Sequence, residues 1–101
     1  MGTINFIVTA DTGEYVFNKN TFKFMYSTYS SGATGTIYLY FAAEGDIVDP
    51  DTITLTVTKR FMSNVIKKIS ESLNSSGHTE IKHSQTSGLY SFITAITYTA
   101  G

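Results

Sequence analysis

The run Thr52-Ile53-Thr54-Leu55-Thr56-Val57-Thr58 alternates without a fault, apolar at 53, 55 and 57 and threonine between. A period of two puts three apolar side chains on one face and four hydroxyls on the other, the pattern of a strand half in a core and half in water. All of these residues except Leu55 are β-branched, which suits an extended chain. Such a strand needs partners. Ile4, Phe6 and Val8 alternate in the same way, and Ala10-Asp11-Thr12-Gly13 predicts a turn into a return strand, Glu14-Tyr15-Val16-Phe17. After a break at Asn18-Lys19-Asn20, the segment Phe22-Lys23-Phe24-Met25-Tyr26 predicts a strand with Phe22, Phe24 and Tyr26 on one face. Ser27 to Gly35 reads as a flexible connection. Thr36 to Phe41 is again a strand, with Ile37, Leu39 and Phe41 opposite Tyr38 and Tyr40, and Glu44 to Asp51 is an acidic loop fixed by Pro50.

The period changes at Phe61. Met62, Ile66, Ile69 and Leu73 are spaced by four, three and four, with Val65 beside them, so an amphipathic helix is expected near 61–74. Asn74-Ser75-Ser76-Gly77 closes it as a glycine cap would. Thr79 to Ser84 resumes extended chain, Gln85 to Gly88 turns it, and Leu89 to Thr99 is a long final strand. By strict alternation that strand is apolar on both faces, with Leu89, Ile93 and Ala95 on one and Tyr90, Phe92, Ile96 and Tyr98 on the other. It therefore calls for a second cover, either its own core or a neighbouring subunit.

One domain, 1–101, accommodates all of this: 101 residues are too few for two. Charged residues make up only 15%, while 16 Thr and 11 Ser take their place, a β-rich signature. One Pro, no Cys and no Trp exclude a proline-rich linker, a disulfide scaffold and thiolate or Cys-zinc chemistry. So many short strands with one helix predict a mainly β fold, a small, strongly bent antiparallel barrel with the helix inserted.

No apolar run is long enough to span a bilayer, and the opening residues carry neither a secretory nor a myristoylation pattern, so a cytoplasmic protein without membrane contact is expected. Catalytic motifs are missing. His78 and His83 have no carboxylate pair at a useful spacing, and no nucleophile elbow, zinc-protease helix or phosphate loop occurs, so neither an enzyme nor a bound cofactor is expected. Glu44, Asp46, Asp49 and Asp51 do not match a calcium loop and read as a solvated connection rather than a metal site.

The formal charge of −1 hides an uneven distribution, −4 over residues 1–58 and +3 over residues 59–101. The cations of the second part gather as Lys59-Arg60 at the strand-to-helix junction, Lys67-Lys68 on the helix and Lys82-His83 before the last turn. Tyr29 and Tyr90, with Tyr26, Tyr38 and Tyr40, are candidate stacking surfaces for unpaired bases. Arg60, the only arginine, is the leading candidate. One copy offers few cations, so useful affinity is expected from repetition in an oligomer.

The opening hairpin from Ile4 to Val16, the short strands that follow and the closing pair around Lys82 to Thr99 resemble the small Sm-like barrel proteins of marine, cyanophage type. The resemblance implies a homo-oligomeric ring, built by edge-strand pairing, that binds single-stranded RNA and serves RNA or DNA processing. It implies a basic residue before a glycine in the last hairpin, for which Lys82-His83 and the later Gly88 are a loose equivalent. The alternative is a phage structural or scaffold protein whose barrel serves assembly alone.

Overall fold

The computed structural model describes residues 2–8, 13–29, 32–43, 46–82 and 88–100. Seven strands and one helix follow in the order β1 (Thr3–Ile7), β2 (Glu14–Asn18), β3 (Phe22–Tyr29), β4 (Thr34–Ala43), β5 (Asp46–Thr58), α1 (Met62–Asn74), β6 (His78–Lys82) and β7 (Ile93–Thr99). Short 3-10 turns occupy Lys19–Thr21, Lys59–Phe61 and Leu89–Phe92. The fold is mainly β, as the alternation predicts.

The strands form two sheets, β2-β1-β6 and β3-β4-β5-β7. Among the described residues no ladder joins them, so hydrogen bonding does not close a barrel. The second sheet is antiparallel throughout. In the first, β1 is antiparallel to β2 but parallel to β6, with Thr3 opposite His78 and Ile7 opposite Lys82. This departs from the all-antiparallel expectation because the large sheet and α1 intervene, and the chain returns beside β1 in the same direction.

The two inner faces and α1 share one core. Ile4, Phe6 and Ile81 of the first sheet meet Ile37, Leu39, Phe41, Ile53, Leu55 and Val57 of the second, and Met62, Val65, Ile69 and Leu73 close it from the helix. Phe41 is a hub, stacked on Phe17 at 4.2 Å and meeting Phe6 and Phe22 edge-on at 5.9 and 5.6 Å. Where β2 passes β7, Tyr15 stacks on Tyr98 at 4.0 Å.

Two bulges reverse faces that strict alternation assigns otherwise. On β7, Thr56 pairs with Ala95 but Val57 pairs with Ile93, so Thr94 is an extra residue, its hydroxyl donating to the Thr56 carbonyl at 3.2 Å. Ile93 and Ile96 therefore both enter the core, while Thr94, Thr97 and Thr99 face out. The final strand is not apolar on both faces, and it needs no second subunit to cover it. Residues 89–92, expected to extend this strand, form a 3-10 turn instead. On β3, Phe22 pairs with Phe41 but Phe24 pairs with Tyr40, which leaves Lys23 as the extra residue. Phe22 consequently turns inward, away from Phe24 and Tyr26, with which alternation grouped it.

Other boundaries move. β3 runs to Tyr29 and β4 begins at Thr34, so most of the expected 27–35 connection is strand. The stretch expected as an acidic loop is strand from Asp46 onward. Pro50 is tolerated there because β7 pairs with β5 only from Thr52, leaving that side of the ladder open at residue 50. The expected turns at 10–12 and 85–87 lie outside the described residues.

The C-terminal end of α1 is heavily satisfied. Ser75 Oγ donates to the Ser72 carbonyl at 2.8 Å and Asn74 Nδ2 to the Ser70 carbonyl at 3.0 Å. Beyond it Gly77 adopts φ +97°, and a side chain at Gly2 would collide with the Gly77 backbone. That close approach lets the Thr3 amide reach the Gly77 carbonyl at 3.1 Å, which starts the β1–β6 pair.

Candidate nucleic-acid interface

The N-terminal end of α1 is bare by comparison. Its cap position is Phe61, which has no side-chain acceptor, and no acidic residue stands in the first turn. The Met62 amide donates to the Lys59 carbonyl of the preceding 3-10 turn, and the positive end of the helix dipole, which has no side-chain cap, favours an anion there. Lys59-Arg60-Phe61 forms a 3-10 turn rather than continuing the strand, held by the Lys59 amide donating to the Ala33 carbonyl at 2.9 Å. Arg60 is exposed, with its guanidinium 5.7 Å from the Phe61 ring centre, and Phe61 is itself stacked on Phe92 at 3.8 Å. An aromatic pair thereby orients the arginine beside the bare helix end.

Sheet register brings Tyr29 to the same end of the molecule. It pairs with Gly35, and Gly35 pairs with Val57, two residues before Lys59. Met62 packs close over Gly35, so the first turn of α1 lies against this corner. Tyr29 is 54% exposed, enough for a base to stack on it. From the corner, Asn64, Lys67, Lys68 and Glu71 line a shallow groove along the wet side of α1.

Of the sequence candidates, Lys59, Arg60 and Tyr29 thus converge. Lys82 does not join them: it is exposed at the end of β6, in the other sheet. His83 lies outside the described residues. Tyr90 is a correction, since it is only 7% exposed, its hydroxyl lies 3.2 Å from Ser72 Oγ and Lys68 sits 5.4 Å from its ring centre. A ring so covered is no platform for a base. Burial raises the Tyr90 pKa above the ordinary tyrosine value, with the Ser72 hydrogen bond opposing the shift.

The sequence signals this bare helix end only by an absence, since Lys59-Arg60-Phe61 holds none of the Ser, Thr, Asp or Asn that cap helices. A second aromatic group, on the outer face of the large sheet, consists of Phe24 against Tyr40 at 4.5 Å and Tyr26 against Tyr38 at 4.8 Å. These rings stand face to face across strands, and Phe24 and Tyr26 stay about half exposed on the outer strand, away from the corner at Arg60.

No described helix is long and apolar enough to cross a membrane. Comparison with family models, with curated proteins and with solved structures finds no match to this chain.

Proposed function

We propose that the chain is a non-enzymatic module that binds single-stranded nucleic acid at the corner formed by Tyr29, Lys59, Arg60 and the N-terminal end of α1. The observation that carries this reading is the uncapped helix end flanked by two cations, with an exposed tyrosine on the same end of the sheet. The cations and the positive end of the helix dipole take a phosphate, and Tyr29 takes a base by stacking. Lys67 and Lys68 continue the positive track for the next phosphates. RNA rather than DNA is the partner implied by the Sm-like resemblance. In the same reading the two sheets are the halves of a small bent barrel, and the Tyr15–Tyr98 stack supports this by packing side chains at the seam between β2 and β7.

The test is titration of a labelled single-stranded oligonucleotide at low and at raised salt, with Arg60→Ala beside the native chain. Binding that weakens with salt and with the substitution supports the reading. The rival, a protein that serves assembly alone, predicts no binding at any salt.

A further inference from the structure

Four strands end the two sheets, and they differ in how well their edges are protected. β6 presents His78, Glu80 and Lys82, all exposed, and β2 is five residues long with Glu14 exposed. β7 carries the Thr94 bulge one residue from its start and presents threonines at 94, 97 and 99 on its outer face, whereas the bulge of β3 at Lys23 leaves Phe24 to Tyr29 in unbroken register. Among the described residues nothing pairs with the outer edge of β3, and it has little protection. It is eight residues long, contains no proline or acidic residue, and has one cation, Lys23, set at a bulge near its start. It also exposes Phe24 by 51% and Tyr26 by 46%.

We propose that β3 pairs antiparallel with β3 of a second copy about a two-fold axis, making a dimer with one continuous eight-stranded sheet. An open edge needs an extended strand to satisfy its amides and carbonyls. The aromatic ladder says which strand. Phe24–Tyr40 and Tyr26–Tyr38 are separated by 4.5 and 4.8 Å, matching the strand spacing of about 4.7–4.9 Å, so the next strand extends the ladder if it carries rings two residues apart. β3 is itself such a strand. With Met25 opposite Met25 of the second copy, each Phe24 faces the other copy's Tyr26. Lys23 then faces Ser27, so no like charges oppose each other.

The pairing uses neither Tyr29 nor Arg60, so each copy keeps its own corner whether paired or not, and a failure of pairing is read from mass alone, apart from any failure of nucleic-acid binding. Light scattering of the native chain should give about twice 11.1 kDa at micromolar concentration. Phe24→Glu with Tyr26→Glu should give a folded monomer by circular dichroism, and mixing it with Phe24→Lys with Tyr26→Lys should restore the dimer, because the register sets each acid against a base. Should those variants not fold, Met25→Cys reads the register directly in a chain without cysteine, since opposed residues lie about 4.5–5.5 Å apart, within disulfide reach. Mild oxidation should then link two chains, and Thr28→Cys should not link. A monomeric native chain, a ring of three or more copies, or failure of Met25→Cys to link overturns the proposal.

Discussion

Lys19 and Ser75, 56 residues apart, meet at the C-terminal end of α1, where the Lys19 ammonium donates to the Ser75 carbonyl at 3.3 Å and to its hydroxyl at 3.4 Å. Lys19 is only 3% exposed, and its own amide donates to the Gly2 carbonyl at 2.9 Å. One side chain therefore ties the turn after β2 to the helix end, and its charge complements the negative end of the helix dipole. Lys19→Ala should cost about 1–3 kcal/mol, a loss of the charged hydrogen bonds with the packing of the stem. Urea unfolding measures it, and a change below about 0.5 kcal/mol, the level of an ordinary surface substitution, contradicts the assignment.

The bulge at Thr94 makes a prediction that strict alternation does not. Ile93 and Ile96 both lie in the core, so Ile93→Ala and Ile96→Ala should each cost about 2–5 kcal/mol, while Thr97→Ala should stay within about 0.5 kcal/mol. If either isoleucine behaves like Thr97, the bulge is misplaced.

Alkaline pH should weaken the fold. The Tyr90 pKa is raised chiefly by burial, and the Tyr98 pKa by burial and then by the nearby Asp51 carboxylate. A hydrogen bond with Tyr26 is the main cause that raises Tyr40. A tyrosine with a raised folded pKa holds its proton more tightly folded than unfolded. Its contribution is complete below the ordinary value of 10.0 and is lost as pH rises through the raised value. Unfolding free energy should therefore fall above about pH 10, and less steeply in Tyr90→Phe. An identical slope in that variant rules out Tyr90 as a contributor.

These features divide into what local patterning reveals and what it does not. Ile53, Leu55 and Val57 face the core as their alternation says, and Met62, Val65, Ile69 and Leu73 form the buried stripe of a helix over Met62–Asn74. The faces of β3 and β7 are misread because one extra residue reverses the parity, and neither Lys23 nor Thr94 is a glycine that would announce a bulge. The β1–β6 pair joins residues 75 positions apart, as at Thr3 and His78, so no local period encodes it. The site follows the same division. Arg60 at the strand-to-helix junction is legible, whereas the burial of Tyr90 depends on which side of α1 the last turn packs against.

The central claim, that the Tyr29–Arg60 corner holds single-stranded nucleic acid, is tested most directly by fluorescence anisotropy of a labelled single-stranded RNA oligonucleotide titrated over a range of salt. Lys59, Arg60, Lys67 and Lys68 amount to about three or four phosphate contacts, so log affinity should fall against log salt with a slope of about −2 to −3. Arg60→Ala should flatten that slope by about 0.7, and Tyr29→Ala should weaken binding by about 1–3 kcal/mol while leaving the slope unchanged. An absence of binding at low salt, or binding indifferent to both substitutions, contradicts the account.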